Sequence, residues 1–184
     1  REVEKLAENA LSKGNTLTAR RLFHEAAGCF HVGQHVNFFD VKRKTEAQER
    51  VRENYRKAIE LYDEEQRPIR IEIAFRGTVI PGYLRLVRKR SRPLVILING
   101  GDNVKEVENH YLGSLLLDAG LASFAFDGPG QGEMWKNMKM IPDYEKAVSA
   151  IIDWFEGNRE YRIDLNRIGT CGMSLGGYLS ARAA

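Results

Sequence analysis

The first 67 residues carry apolar side chains at intervals of three and four, the spacing of a helix with one apolar face. Three such stretches occur, and Gly14-Asn15 marks a helix end and a new helix start between the first two. The apolar positions are Val3, Leu6, Ala10 and Leu11; Ala19, Leu22, Phe23, Ala26, Ala27 and Phe30; and Val51, Tyr55, Ala58, Ile59 and Tyr62. This pattern predicts a helical cap domain over residues 1–67.

After Pro68 the hydrophobic period changes to two, which predicts a strand with one buried face over residues 69–75. Gly77 marks a turn into a second predicted strand over residues 78–87. The continuous apolar run over residues 94–98 is typical of a parallel strand that is covered on both faces. The sequence therefore changes from a helical segment to the edge and then the centre of a sheet.

Two further strands, at residues 121–126 and 167–171, alternate with helices in the rest of the chain. The predicted helical stripes are Tyr111, Leu112, Leu115, Leu116 and Ala119, and Tyr144, Ala147, Val148, Ile151, Ile152 and Phe155. Alternating strands and helices predict an α/β fold with right-handed crossovers over residues 68–184.

The last predicted strand runs into Gly172-Met173-Ser174-Leu175-Gly176, and an Ala/Leu-rich helix follows it. Gly-x-Ser-x-Gly between a strand and a helix is the pattern of a nucleophile elbow, a sharp turn that holds a serine hydroxyl clear of the sheet. A chance glycine-rich turn is the alternative, but the strand and helix around it favour the functional interpretation. Ser174 is therefore the predicted nucleophile.

The loop Asn99-Gly100-Gly101-Asp102 leaves the end of the third predicted strand. In α/β-hydrolases this position supplies one backbone N–H of the oxyanion hole, and the residue after the nucleophile supplies the second. Gly101 and Leu175 are thus the predicted oxyanion donors. An ordinary glycine turn is the alternative interpretation of the loop.

A second glycine-rich loop, residues 127–133, follows the fourth strand. Its glycine spacing is not Gly-x-Gly-x-x-Gly, a proline interrupts it, and no helix is predicted to open on it, so phosphate binding is not favoured. We expect Asp127 and Glu133 to hold loops through hydrogen bonds instead of acting as acid or base. The apolar residues that follow either line a pocket or anchor the loop, and the anchor is favoured; they are Met134, Trp135, Met138 and Met140.

The composition is that of a globular protein, with 43% hydrophobic and 29% charged residues and no apolar run near the ~20 residues that cross a membrane. The net charge of +3 and the basic triplets at residues 42–44 and 88–90, predicted to be solvated turns, give no nucleic-acid signature. Cys29 and Cys171 are expected to be buried and reduced, as in the cytoplasm. No cofactor or metal site is predicted.

Four segments together resemble one branch of the α/β-hydrolases, the one that includes 2,6-dihydroxypseudooxynicotine hydrolases, fermentation-respiration switch esterases and fungal polyketide-shortening hydrolases. They are residues 99–106, 126–134, 143–146 and 172–177, of which Phe-Asp-Gly-Pro-Gly-Gln-Gly-Glu-Met is the most specific. The resemblance implies Ser174 as nucleophile, Gly101 and Leu175 as oxyanion hole, and an N-terminal helical cap. It implies hydrolysis of a carbon–carbon bond beside a ketone in a small aromatic or polyketide-like substrate.

Two alternatives remain open from the sequence. The first is a carboxylesterase of the same fold, and the second is a non-catalytic binding or regulatory protein that kept the hydrolase fold. A small molecule is the expected partner, without nucleic acid or membrane, and a homodimer is compatible with the sequence.

The triad partners of such a serine follow it in the order Asp or Glu, then His. Only ten residues follow Ser174, and all four histidines, His24, His31, His35 and His110, precede it. The sequence is therefore expected to be the front part of a longer enzyme, with the hydrolase domain truncated after the elbow and inactive by itself.

Overall fold

The computed structural model describes residues 1–35, 39–87 and 92–184. The chain divides into two compact units, Arg1–Arg67 and Pro68–Ala184. The predicted basic turn at residues 88–90 lies outside the described residues.

The first unit consists of three helices, α1 (Glu2–Ser12), α2 (Thr16–His35) and α3 (Val41–Glu60). Small side chains let the helices approach closely, and their shared core is formed by Ala7, Ala10, Ala19, Phe23 and Ala58. The Asp40 side chain caps α3 by accepting a hydrogen bond of 2.9 Å from the Arg43 N–H. The basic triplet at residues 42–44 was predicted to be a turn, and this was wrong. The triplet lies in the first turn of α3, which begins after this cap.

The buried face of α1 differs from the predicted one. Leu6 and Leu11 are 55% and 42% exposed, whereas Glu4 is buried together with Ala7 and Ala10. The Glu4 carboxylate forms an ion pair with Arg50 of α3. A partner on another helix therefore allows α1 to bury a charged position, which the hydrophobic pattern of α1 could not reveal.

The second unit alternates strands and helices and contains one five-stranded sheet. Its elements are β1 (Ile69–Phe75), β2 (Thr78–Arg85), β3 (Arg92–Ile98), α4 (Glu108–Asp118), β4 (Ala122–Phe126), α5 (Glu145–Gly157), β5 (Ile163–Gly172) and α6 (Leu175–Ala183), with short 3-10 helices at Gly132–Lys136 and Arg159–Tyr161. The predicted α/β class is confirmed.

The strand order is β1-β2-β4-β3-β5. The first two pairs of neighbours are antiparallel, while β3 is parallel to both β4 and β5. β3 and β4 lie inside the sheet, and the apolar runs of both are buried in the core with the apolar stripe of α5. The long apolar runs thus sit where a sheet covered on both faces needs them.

The predicted apolar stripe of α4 is wrong in part, because only Leu112 and Leu116 of its residues are half-buried. Tyr111 and Leu115 are 57% and 66% exposed, while Asn109, His110 and Gly113 are buried. Arg85 of β2 explains this orientation, because its guanidinium donates to the His110 carbonyl at 2.7 Å. α4 therefore docks through polar contacts that the apolar periodicity does not record.

The two cysteines were expected to be buried, and this was wrong for Cys29, which is exposed on α2, whereas Cys171 on β5 is intermediate. Cys29 lies off the face of α2 that packs against its neighbours. None of the helices in the described ranges combines the length and apolar character needed to cross a bilayer.

Candidate active site

Three loops leave the same edge of the sheet. In the parallel register, Ile98 of β3 is level with Phe126 of β4 on one side and with Gly172 of β5 on the other. The loops that begin at Asn99 and Asp127 and the turn at residues 173–174 are therefore neighbours. Ligands of open α/β sheets bind at this carboxyl edge of the strands.

The turn after β5 has the geometry expected of an elbow. Ser174 has φ 56° and ψ −127°, a backbone conformation that costs about 1–3 kcal/mol for a residue with a side chain. The serine, Met173 and Leu175 are all exposed. The strand, turn and helix predicted around the motif are present, and the serine side chain lies at the surface.

Two glycines allow the backbone of this turn to pack closely against the sheet. A Cβ on Gly176 would overlap the carbonyl oxygen of Ile98 and lie 2.7 Å from that of Asn99. A Cβ on Gly172 would overlap the backbone of Gly176 and lie 2.8 Å from the Ile98 oxygen. The absence of side chains at both positions therefore lets the start of α6 pack directly against the end of β3.

The loop after β3 passes beside the elbow. A Cβ on Gly100 would lie 3.0 Å from the Met173 carbonyl oxygen, whereas one on Gly101 would meet no atom within 4 Å. Within the described part of the chain, the N–H groups of Gly101 and Leu175 have no hydrogen-bond acceptor. The structure thus brings the loop and the elbow together and leaves both predicted donors available to a ligand.

Buried polar side chains connect the loops after β3 and β4. Asn99 is fully buried, and its amide donates to Asp127 Oδ1 at 2.7 Å and to the Phe126 carbonyl at 3.1 Å. Its Oδ1 accepts from Asn109 of α4 at 2.7 Å. Asp127 also accepts from the Glu133 N–H at 2.9 Å. As predicted for Asp127, the carboxylate holds loops through hydrogen bonds.

Lys105 forms the centre of a buried ionic network that the sequence did not reveal. Its Nζ is fully buried and lies 2.6 Å from Asp127 Oδ2, 3.0 Å from Glu133 Oε2 and 2.6 Å from Glu106 Oε1. Arg70 of β1 adds a second cation, because both of its terminal nitrogens lie 2.9 Å from the Glu133 carboxylate.

The protonation of this network follows from burial and from its two cations. Burial raises the pKa of Glu106 above its ordinary value, and the attraction of Lys105 does not compensate. Burial also opposes the ionisation of Glu133, but hydrogen bonds from Arg70 and the charge of Lys105 lower its pKa to about 2. Burial would lower the pKa of Lys105, but the surrounding carboxylates, Asp127 first, raise it above its ordinary value.

The oxygens of Glu106, Asp127 and Glu133 converge within 4.8 Å of one another, as the ligands of a cation would. The Lys105 ammonium group already contacts all three carboxylates. With Arg70 it balances most of their charge. The arrangement therefore fits a structural ionic network in which the Lys105 ammonium group is the cation that the three carboxylates share.

Gln131 and Tyr144 form a second buried contact to the β3 loop, and sequence analysis missed both. The Gln131 amide nitrogen donates to the carbonyls of Asn99 and Gly100, at 2.7 and 2.9 Å. Its Oε1 accepts from the Tyr144 hydroxyl at 2.6 Å. The available sequence signal was the glycine at position 128, because a Cβ there would overlap the Tyr144 hydroxyl.

The glycines of the loop at 127–133 thus make room for side chains. A Cβ on Gly132 would overlap the Asp127 carboxylate, and Gly130 has φ 79° beside the backbone of Met140. A short 3-10 helix opens on this loop, although none was predicted. Met134 is buried in the core and anchors the loop as favoured, whereas Met140 is 42% exposed.

None of the four histidines follows the elbow. His24, His31 and His35 lie on α2, and His110 lies on α4, where it is buried. The structure therefore places all four histidines in helices.

The relatives of this chain are hydrolases. No family model matches it. 2,6-Dihydropseudooxynicotine hydrolase of Paenarthrobacter nicotinovorans is 36% identical over 184 residues, which are all of this chain and 48% of the relative. Hydrolase ORFZ of Pyricularia oryzae is 35% identical over 198 aligned residues, covering 97% of this chain and 46% of the relative. The chain spans about half the length of the curated relatives it matches.

Solved structures give the same result. The crystal structure of 2,6-dihydroxy-pseudo-oxynicotine hydrolase has a TM-score of 0.86 and 34% identity, and it covers 99% of this chain and 50% of that one. A hyperthermophilic esterase from Pyrobaculum calidifontis, at 22% identity and a TM-score of 0.58, covers 89% of this chain and 51% of that one, and shows the fold alone. The chain is therefore similar over its whole length to about half of 2,6-dihydropseudooxynicotine hydrolase, and it has the fold of the α/β-hydrolases.

Proposed function

We propose that the protein is a serine-nucleophile hydrolase that cleaves a carbon–carbon bond beside a ketone in a small aromatic or polyketide-like substrate. The observation that carries the proposal is the exposed Ser174 on a strained turn, beside the loop of Gly101. The 36% identity to 2,6-dihydropseudooxynicotine hydrolase supports the substrate class.

In this mechanism the Ser174 hydroxyl oxygen attacks the ketone carbon, and a base accepts the hydroxyl proton. The carbonyl oxygen becomes an oxyanion, which the N–H groups of Gly101 and Leu175 stabilise by hydrogen bonds. Collapse of this intermediate breaks the adjacent carbon–carbon bond, and the leaving carbanion takes up a proton. Water then hydrolyses the acyl–serine ester and regenerates the hydroxyl.

The base is not assigned to any of the four histidines. In this fold the histidine follows the serine in chain order, whereas His24, His31, His35 and His110 all precede it. Serine requires an adjacent base to be nucleophilic at neutral pH. Activity is therefore measured on the protein at its natural length.

The test is covalent labelling of the full-length protein with a fluorophosphonate probe. We expect labelling at Ser174, complete loss of it in Ser174→Ala, and wild-type labelling in Ser149→Ala, whose hydroxyl lies on the exposed side of α5 and donates to the Glu145 carbonyl. An unlabelled wild-type protein would contradict the proposal and favour the non-catalytic alternative. Label that persists in Ser174→Ala would show that another residue is the nucleophile.

Substrate panels separate the two hydrolytic alternatives. Aryl 1,3-diketones test cleavage of a carbon–carbon bond beside a ketone, and p-nitrophenyl esters of matched size test esterase activity. We expect higher kcat/KM for the diketones. Turnover confined to the esters would identify a carboxylesterase, while leaving the Ser174 assignment intact.

A further inference from the structure

We propose that Gln131 and Tyr144 are positioning residues that orient the backbone N–H of Gly101 toward the oxyanion. The inference rests on the proposed function and concerns the same site. Neither side chain contacts the reacting atoms in this scheme. Both would act through the backbone of the loop after β3.

One peptide group links Gln131 to the N–H of Gly101. The carbonyl of Gly100 and the N–H of Gly101 belong to the same planar unit, in which a trans bond points them in opposite directions. Fixing the direction of the carbonyl therefore fixes the direction of the N–H. Gln131 holds this carbonyl through a hydrogen bond of 2.9 Å from its amide nitrogen.

Gln131 also holds the neighbouring peptide of the loop. The same Gln131 nitrogen donates to the Asn99 carbonyl at 2.7 Å, so one NH₂ group holds two consecutive carbonyls. An amide nitrogen has two hydrogens, and both are used here. The loop is held at two successive points, which restrains rotation of the Gly100–Gly101 peptide as well as its position.

The two glycines of the loop need a restraint from elsewhere in the chain. Glycine adopts more backbone conformations than any other residue, and the loop contains two in succession. A Cβ at Gly101 would meet no atom within 4 Å, whereas one at Gly100 would overlap Asn103 Oδ1. Close packing therefore restrains the Gly100 side of the shared peptide, and the hydrogen bond from Gln131 fixes the direction of its carbonyl.

Tyr144 fixes the orientation of the Gln131 amide, because its hydroxyl donates to Gln131 Oε1 at 2.6 Å. Carbonyl oxygens only accept, so the Gln131 amide must present its nitrogen to Asn99 and Gly100 and its oxygen to the tyrosine. Tyr144 is 1% exposed. Gly128 leaves room for its hydroxyl, since a Cβ there would overlap it.

The test is the kinetics of fluorophosphonate labelling in the full-length protein, with the maximal inactivation rate, kinact, measured separately from the probe affinity, KI. Gln131→Met keeps the length of the side chain and removes the donors, and should lower kinact roughly 100-fold, as for loss of an oxyanion donor. Tyr144→Phe removes one hydrogen bond and should lower it roughly 10-fold. KI should stay within about twofold of wild type.

Two controls separate positioning from stability. Tyr161→Phe removes a tyrosine hydroxyl elsewhere in the same unit and should leave kinact unchanged. The double variant, Gln131→Met with Tyr144→Phe, should be no slower than Gln131→Met alone, because the tyrosine acts only through the glutamine. Melting temperatures identify any variant that fails to fold, and Tyr144→Phe then carries the test alone.

The outcomes distinguish this inference from the proposed function. If the wild type is labelled, any of three results would overturn the positioning role and leave the nucleophile in place. They are an equal kinact in Tyr144→Phe and Tyr161→Phe, additive losses of kinact in the double variant, and changes in KI only. An unlabelled wild type would overturn both, because there would be no oxyanion for Gly101 to bind.

Discussion

Two regions at one edge of the same sheet are held in different ways. The first region is formed by the loops after β3 and β4, and the second is the turn after β5. Asn99, Lys105 and Asp127 are fully buried and paired with one another or with neighbouring polar groups. Ser174 is exposed on a turn with positive φ, and the glycines beside it act by lacking side chains. One region is held by polar contacts, the other by close backbone packing.

The difference matches what each region contributes in the proposed mechanism. A nucleophile has to be reached by its substrate, so its hydroxyl lies at the surface. The backbone donor of Gly101 has to point in one direction, and buried hydrogen bonds are stronger restraints than exposed ones. Preorganised donors of this kind are usually the largest single contribution to such catalysis.

The largest effect is expected from Lys105→Met in the polar region. The substitution leaves the carboxylates of Asp127, Glu106 and Glu133 without the cation they surround. Removing one partner of a buried ionic group typically costs about 3–5 kcal/mol. We expect a decrease of that size in the free energy of unfolding, measured by urea denaturation of the full-length protein.

The matched control is Arg182→Met, which removes the cation of an ion pair with Glu145. Both of those side chains are about one-third exposed, so solvent replaces the lost contact. The free energy of unfolding should change far less than in Lys105→Met. Equal losses in the two variants would show that burial does not distinguish the Lys105 network.

A smaller effect is expected from Gly176→Ala in the elbow. The new Cβ would overlap the Ile98 carbonyl, which belongs to the centre of the sheet and cannot move freely. Overpacking of this kind costs about 1–3 kcal/mol. We expect that loss in the free energy of unfolding together with slower fluorophosphonate labelling, because displacement of α6 moves Ser174.

Gly177→Ala is the comparison for this prediction. Its Cβ would lie 3.3 Å from the Gly172 carbonyl oxygen at the end of β5, a much smaller overlap than that of a Cβ on Gly176 with the Ile98 oxygen. Labelling near the wild-type rate in Gly177→Ala and slow labelling in Gly176→Ala would support the backbone contact as the cause. Similar behaviour of the two variants would contradict it.

The smallest effect is expected from Glu106→Gln. Burial raises the pKa of Glu106, so the folded state holds this proton more tightly than the unfolded state does. Its contribution to the free energy of unfolding is then present below the ordinary glutamate pKa of about 4.3 and declines as pH rises through the folded value. We expect the variant to lose that decline and to differ from wild type by less than about 1 kcal/mol at pH 7.

Asp127→Asn gives the contrast within the same network. Asp127 accepts hydrogen bonds from Asn99, from Glu133 and from Lys105, so an amide nitrogen there would face donors. A loss of about 1–3 kcal/mol in the free energy of unfolding is expected at pH 7.

The Glu106→Gln prediction is checked by denaturation curves from pH 4 to pH 8. If the variant and the wild type show the same pH dependence of the free energy of unfolding, the raised pKa of Glu106 is wrong.

The strands and the elbow motif were predictable because each depends on nearby residues. The apolar run of β3 and the alternation in β1 identify strands by themselves. Ser174 was found because Gly-x-Ser-x-Gly requires a fixed local order of strand, turn and helix. The roles of Ser174, Gly101 and Leu175 remain predictions, whereas the turn and loop that carry them are present in the structure.

The buried faces of α1 and α4 could not be predicted in the same way. Glu4 is buried because Arg50 lies opposite it, and α4 turns its polar side inward because Arg85 reaches the His110 carbonyl. Each of these partners belongs to another element of the chain. Apolar periodicity describes a helix alone and therefore assigns the wrong side to water.

Local order along the chain was enough to predict an α/β fold with a serine on an elbow and a glycine loop beside it, and the resemblance of four segments supplied the hydrolase family. Tertiary packing alone decided which polar groups hold that loop. Gln131 meets Gly100 across 31 residues of sequence, and Lys105 meets Asp127 across 22. A polar side chain can be buried only where its partner is supplied, and the parallel register of β3, β4 and β5 brings these partners to one edge.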